Sequence, residues 1–396
     1  MQQVASSAMA TPVSRRRPMP MVTKLAYRNL FHDRLSLIVT LVGIVFSVVL
    51  IAVQFGLYLG SEVRIAAMLD QAKGDLWVVP FGTKSFDDPT FLEGKEKHAI
   101  LSTPGIASVE ELAAGFVAWR RPSGGITAAL LVGSDINTNT TLPWDIKEGS
   151  IAALSAPSAV AVDFTYFKEL GIERVGDRAE INGNEVVVTV VTDNIRSFTT
   201  LPYVFTSIAM ARTLLGVPPD QSSYAVVNVA PGTDVEEARK ALAARLPDGE
   251  VLTLQEFRKR SLDRWLFETG AGAALITGAA LGLIVGVVIV AQTLYSSTKD
   301  HLNEFATLRA LGASAGYIIK VILMQAVLSA VIGYILGIVL SLVVVWVSRN
   351  EPSLLIVMTP GLAALLFVLT VGMCMFAAVC AIFKVVRIDP AVVFSR

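Results

Sequence analysis

Residues 312–316 read Gly-Ala-Ser-Ala-Gly, the spacing of the nucleophile elbow that presents a catalytic serine in hydrolases. That chemistry needs a strand ahead of the serine, a sheet to hold it, and a histidine to take its proton. Here a charged stretch precedes Ser314, a long apolar run follows it, and the chain has only His32, His98 and His301. The match is therefore read as accidental. No GxxxxGK followed by Ser or Thr occurs, so the chain is not expected to hydrolyse ATP by itself. No Cys or His cluster has metal-ligand spacing, and both cysteines, Cys374 and Cys380, fall in the last apolar run. His301 is read as a solvated loop residue.

The elements that would have to position any chemistry are apolar. Of 396 residues 53% are hydrophobic and only 17% are charged, against about 25% charged in a typical soluble protein. Net charge is zero, which gives no argument for nucleic acid. Four charge-free stretches, 35–61, 269–298, 321–348 and 352–383, each exceed the roughly 20 residues that a helix needs to cross about 30 Å of hydrocarbon. The expected architecture is an α-helical membrane protein with four transmembrane helices at 35–61, 269–297, 317–348 and 352–383. An α+β extracytoplasmic domain with stalk helices, 62–268, lies between helices one and two.

Short-segment charge sets the orientation. Arg15, Arg16, Arg17, Lys24, Arg28 and Arg34 precede the first stretch, Lys299, Arg309 and Lys320 surround the middle loop, and Lys384, Arg387 and Arg396 follow the last. Both termini are accordingly placed in the cytoplasm, and the long 62–268 segment outside. Residues 1–22 read as a disordered tail and 384–396 as a short one. Residues 23–34 mix Leu25, Tyr27, Leu30 and Phe31 with Lys24 and Arg28, as in an interfacial helix or a plain basic flank.

Apart from their ends the spans carry no Asp, Glu, Lys or Arg, so no proton relay of the kind that ion-coupled carriers use is visible. Gln54, Gln292 and Gln325 are the notable polar residues there, and bonding between helices accounts for them. Ala274, Gly278, Gly282 and Gly286 recur every four residues on the second span, as do Ser329, Gly333, Gly337 and Ser341 on the third. Small faces allow the close backbone approach that drives helix association in lipid, so a tightly packed bundle is expected.

In the 62–268 segment, residues 62–73 extend the first helix and 253–268 form a helical lead into the second, together a stalk. Strand patterns fall at 76–80, 117–119, 128–132, 159–162, 186–192, 203–206 and 224–229, and helical ones at 164–170, 208–215 and 235–246. Asn182-Gly183 marks a hairpin between 178–181 and 185–191. Residues 135–143 form the longest run without periodicity, a loop open to partner contact or merely a variable surface.

Between spans two and three, 298–314 reads TKDHLNEFATLRALGAS, a charged island with helical periodicity. It is read as an amphipathic helix at the membrane surface or an ordinary cytoplasmic loop, with Gly312 as a helix stop. Its core, Glu304-Phe305-Ala306-Thr307-Leu308-Arg309-Ala310-Leu311-Gly312-Ala313-Ser314, resembles the signature segment of the MacB/FtsX-type ABC transporter permeases. The resemblance runs from TKLAYRNLF near residue 23 to Asp389-Pro390-Ala391. Gly74 to Pro80, GDLWVVP, with Gly115-Phe116-Val117-Ala118-Trp119, is similar to the DevC subgroup.

That resemblance implies a non-catalytic permease, homodimeric or pseudo-dimeric, working with two copies of a separate ABC ATPase that binds the ATP and Mg; this chain binds no cofactor. Motion driven by ATP would pass through the membrane to the outer domain, a mechanotransmission in which Glu304, Phe305, Leu308, Arg309 and Gly312 form the ATPase-coupling element. Gly278, Gly282, Gly286, Gly333 and Gly337 would pack the transmitting bundle. The DevC likeness implies a bacterial inner membrane, a periplasmic membrane-fusion adaptor, a TolC-type outer-membrane channel, and export of a glycolipid or other amphiphile. A lipoprotein-extraction permease and a non-transporting regulator of a cell-wall hydrolase are the alternatives.

Leu308→Asp, which puts a charge into an apolar contact, and Gly312→Pro are expected to uncouple ATP hydrolysis from transport while leaving membrane insertion intact. Transport-coupled ATPase activity unchanged in both variants would remove the coupling role.

Overall fold

The computed structural model describes residues 21–138, 140–300, 307, 313–348 and 354–386. These fall into two compact units: Met1–Ala52, Ala280–Ser341 and Pro360–Arg396 make the first, and Val53–Ala279 with Leu342–Thr359 the second. In chain order the helices are α1 (Met21–His32), α2 (Arg34–Gln71), α3 (Lys95–Leu101), α4 (Phe167–Leu170) and α5 (Ile208–Leu215). Then come α6 (Val235–Ala243), α7 (Leu254–Leu262), α8 (Ala271–Asp300), α9 (Ala315–Ser348) and α10 (Pro360–Val386). Among the described residues α2, α8, α9 and α10 are long and apolar enough to cross a membrane.

The first unit is a bundle around Ile44, Val48, Val290, Ala326, Ala330, Cys374, Ala377 and Ala378. Asp33 starts α2 by accepting a hydrogen bond from the backbone N–H of Ser36 at 3.2 Å, which meets one of the donors that a helix start leaves open. The nearest neighbours of the glycine rows on α8 and α9 belong largely to α2. A Cβ at Gly333 would lie 2.5 Å from Ile44 Cγ2, and one at Gly337 2.7 Å from Val48 Cγ1. On α8, a Cβ at Gly282 would lie 3.2 Å from both Leu50 Cδ2 and Ile51 Cγ1, and one at Gly286 would overlap Met373 Sδ of α10 and lie 2.6 Å from Ser47 Oγ. So α2 fills the small face of α9, and with Met373 of α10 that of α8.

In the second unit Gly278 on α8 faces Gln54, whose Nε2 a Cβ would meet at 2.6 Å. The 352–383 stretch, read from sequence as one helix, is helical only from Pro360, a residue suited to a first helical position because its missing N–H needs no partner there. Residues 354–359 run non-helically, and the Val357 N–H donates to the Gly56 carbonyl at 3.0 Å.

The strands are β1 (Leu76–Pro80), β2 (Ile106–Arg120), β3 (Ile126–Ser134), β4 (Ile146–Glu148) and β5 (Ala159–Asp163), then β6 (Arg178–Ile181), β7 (Asn184–Thr192), β8 (Tyr203–Ser207), β9 (Tyr224–Val229) and β10 (Gly249–Thr253). The antiparallel order β10-β1-β9-β2, with α3 between β1 and β2 and α6 between β9 and β10, is a split βαβ arrangement. The rest of the domain is inserted between β2 and β9. There the pairings β2-β3-β8-β5-β7-β6 return to β2 through Trp119↔Ile181 and close a ring, with β3–β8 and β5–β7 parallel. The β6–β7 turn is Asn182-Gly183, at φ 48° and 87°, the left-handed pair that a tight hairpin requires.

Every residue of β1 is buried, because alternation sends Trp77 and Val79 into one core and Leu76 and Val78 into another. The first core also takes Met68 and Leu69 from the end of α2 and Phe257 from α7, and the second takes α3 and α6 through Ile100, Ala238 and Leu242.

Gly333→Ala is expected to lower the unfolding midpoint of the detergent-solubilised chain, and Ile44→Ala in the same molecule to recover most of the loss. The coupling in that cycle should be about 1–3 kcal/mol. Additive losses would mean that the two residues do not share a contact.

Candidate functional site

The sequence-derived coupling residues Glu304, Phe305, Leu308, Arg309 and Gly312 lie outside the described residues, as do His301 and Asp389-Pro390-Ala391. The ends that frame them are described. Helix α8 is described as far as Asp300, with the Thr298 hydroxyl donating to the Leu294 carbonyl at 2.6 Å. Helix α9 opens after Ser314, whose Oγ accepts from the Tyr317 N–H at 3.3 Å. The serine of the apparent elbow thus serves as a helix cap.

Helix α1 is amphipathic in place. Ala26 and Asn29 are buried, while Lys24, Tyr27, Arg28 and Phe31 are exposed, with the Tyr27 and Phe31 rings 4.4 Å apart. Asn29 and Asp33 join Thr40 of α2, Thr293 and Ser297 of α8, and Gln325 and Ser329 of α9 along a narrow polar seam. Two hydroxyls there are satisfied within their own helix: Thr40 donates to the Ser36 carbonyl at 2.7 Å and Thr293 to that of Ile289 at 2.9 Å. Buried Ser329 Oγ has no partner among the described residues. Of the three glutamines singled out from sequence, Gln325 is buried, Gln54 sits against Gly278, and Gln292 is exposed.

The stalk of the second unit is built from the end of α2, α7 and the π-helical turn Asp263–Glu268. Thr253 and Glu256 form a reciprocal capping box that starts α7. Arg258 Nε donates to Asp70 Oδ1 at 3.0 Å and so ties α7 to α2. The loop after β1 is strapped to the same elements. Arg260 reaches the Thr83 carbonyl at 3.1 Å and Glu250 at 2.7 Å, Trp265 Nε1 donates to Ser85 Oγ at 3.1 Å, and Lys84 pairs with Glu268 at 3.0 Å. Gly270, at φ 79°, ends the π turn before α8 begins.

Two glycines that the four-residue rows did not include hold the same unit together. A Cβ at Gly56 would meet Ile356 Cγ2 at 2.5 Å, and one at Gly60 would overlap the Leu355 carbonyl. The signal was present as a GxxxG pair near the end of the first charge-free run. The loop at 135–143 is fastened at its described residues. Thr138 and Thr140 donate to the two oxygens of Glu110, and Lys73 N–H donates to the Thr140 carbonyl at 2.9 Å.

Beneath the strap, Asp87 is fully buried and accepts from the Tyr203 hydroxyl. Burial pushes its carboxyl up to about 6, against the opposing pull of that hydrogen bond.

Comparison with known proteins matches two family models. The MacB-like periplasmic core domain covers residues 37–245, and the FtsX-like permease C-terminal covers residues 276–390. Similar solved structures include the periplasmic region of MacB from Actinobacillus actinomycetemcomitans, 12% identical over 50% of this chain and 96% of that one, with a TM-score of 0.36. The extracellular domain of the noncanonic ABC-type transporter YknZ from Gram-positive bacteria is 15% identical over 46% and 99%, with a TM-score of 0.33. A domain of a permease protein from Porphyromonas gingivalis is 13% identical over 46% and 89%, with a TM-score of 0.32. No curated protein sequence matches the chain.

Asp87 binds its proton more tightly in the fold than in the unfolded chain. Its contribution to stability is therefore full below about pH 4 and is lost as pH rises through about 6. Asp87→Asn should flatten the unfolding free energy across that window and raise it at pH 7.5 by on the order of 2–3 kcal/mol, read from denaturant unfolding at each pH. Equal pH slopes in variant and parent would remove Asp87 as the cause.

Proposed function

This chain belongs to the MacB/FtsX-type permeases of ABC transporters, and from that premise we propose that it transmits the motion of a separate ATPase to its α+β domain rather than passing cargo between its helices. The observation that carries this reading is the seating of α2 in the glycine faces of α8 and α9. Contacts closer than a methyl group allows leave no slack, so a displacement imposed on α8 or α9 moves Ile44, Ser47 and Val48 with it.

In this reading two ATPase subunits, holding ATP and Mg, dock on Glu304, Phe305, Leu308, Arg309 and Gly312, and a second copy of the permease completes the dimer. The domain between the first two spans faces the periplasm of a bacterial inner-membrane protein with both termini cytoplasmic. The strapped stalk supports the same mechanism. Arg258 on Asp70 joins α7 to α2, Trp265 on Ser85 and Arg260 on Thr83 join the π turn and α7 to the loop after β1, and Arg260 on Glu250 joins α7 to β10, so a stalk displacement is delivered to the domain. A periplasmic membrane-fusion adaptor and a TolC-type channel would carry an amphiphile, of which a glycolipid is one class, onward from that domain.

Affinity purification of the full chain from its native membrane in mild detergent, with mass-spectrometric identification of its companions, tests the reading. An ABC ATPase together with an adaptor is the expected result. A wall hydrolase or a lipoprotein carrier beside the ATPase would replace export by regulation or extraction, and absence of any ATPase would overturn the proposal.

A further inference from the structure

The second unit contains an open cleft of about 490 Å³ between the outer part of α2 and the face of α7 that runs on into the π turn. That volume lies within the range of small-molecule sites. Its position along the chain is at a membrane boundary. Glu62 is the first charged residue after the charge-free run 35–61, and Glu268 is the last before the run that begins at 269.

The walls divide accordingly. Tyr58, Leu266 and Phe267 supply the side nearest the apolar runs, and Glu62, Lys259 and Asp263 the side away from them. Leu266 is buried and Phe267 exposed, so an apolar surface is offered where acyl chains would begin. Aromatic side chains at that level match the interfacial belt of membrane proteins.

The charges are of both signs, and they are not used up by one another. Arg258 also lines the cleft but is held by Asp70. Among the described residues neither Lys259 nor Asp263 has an ion-pair partner, although they lie four residues apart. A purely anionic headgroup would meet Glu62 and Asp263, and a purely cationic one would meet Lys259. A headgroup that carries a phosphate and an amine a few bonds apart satisfies both. Independently, Asp263, Leu266 and Phe267 belong to the π-helical turn, an irregularity frequent at functional sites.

We infer that this cleft binds the headgroup of a zwitterionic phospholipid, with the phosphate on Lys259, the amine between Glu62 and Asp263, and the glycerol end against Leu266 and Phe267. As a cargo-entry site it rests on the export reading, whereas the binding itself belongs to this chain alone.

The test uses the purified full chain in detergent micelles doped with equal amounts of phosphatidylethanolamine, phosphatidylglycerol and a neutral glucosyl diacylglycerol, with retained lipid counted by native mass spectrometry. Phosphatidylethanolamine should exceed each of the others about tenfold. Lys259→Glu should lower its retention about tenfold, and Asp263→Lys should turn the preference to phosphatidylglycerol. Both residues are exposed at one end, and unchanged unfolding midpoints establish that the variants fold. Equal retention of the three lipids, a preference for the sugar lipid or for phosphatidylglycerol in the parent chain, or a preference that neither variant alters would each overturn the inference. No ATPase is present in this measurement. Failure of the ATPase to co-purify would leave a positive result standing, and failure here would leave the coupling mechanism untouched.

Discussion

Within a bilayer, apolar side chains gain nothing by leaving lipid for one another, so helices must be held by packing that lipid cannot imitate. Here that requirement rests on α2. Ile44 and Val48, one turn apart, enter the positions left open by Gly333 and Gly337, while Leu50 and Ile51 on the neighbouring face meet Gly282, and Ser47 shares the space at Gly286 with Met373 of α10. Reciprocally, Ile289 of α8 fills the space at Gly43. One helix therefore uses two faces, and α8 and α9 give up side chains to receive it. Many weak dispersion contacts made at short range replace the hydrophobic effect that would do this in water.

The α+β domain of the second unit is held by the opposite means. Trp77, Tyr224, Phe86 and Phe257 form a buried aromatic cluster with neighbouring ring centroids 5.1 to 6.2 Å apart, and Met68 and Leu69 of α2 belong to the same core. Burial of one such side chain stabilises by roughly 1.5–3 kcal/mol. The half-exposed Arg258–Asp70 pair contributes about 1 kcal/mol or less. The grip of the stalk on the sheet is thus mainly apolar, and the ion pair adds one polar tie between α7 and α2.

Much of this was legible in the residues. The four charge-free runs fall on the four long helices, and the alternation of β7 and the Asn182-Gly183 turn placed the β6–β7 hairpin. The first half of β2 was not legible, since Ala107, Glu110, Glu111, Ala113 and Ala114 are residues that helices favour. Tertiary partners decide the matter: Thr138 and Thr140 take Glu110, and Lys97 at 2.5 Å with Arg212 at 3.3 Å takes Glu111. A strand propensity scale cannot see such partners. The same contacts account for residues 135–143, whose lack of period reflects a loop moulded onto Glu110. Short β4, short α3 and β10 each lie in a stretch too brief or too polar to show a period.

The proposed coupling residues pose a different problem, because Glu304, Leu308 and Arg309 stood out only through resemblance to a family. A sequence of mixed charge is physically ordinary until a partner is known. The glycine rows need no such help. Their spacing states a mechanical property, close approach at every fourth residue, that is useful to a transmitter and wasteful in a simple anchor. A membrane anchor can be made from leucine alone. A chain that removes Cβ atoms from two helices to seat a third leaves little slack between them, which is what the proposed transmission requires, and the strap of Arg260, Trp265 and Lys84 repeats that economy of slack in the α+β domain.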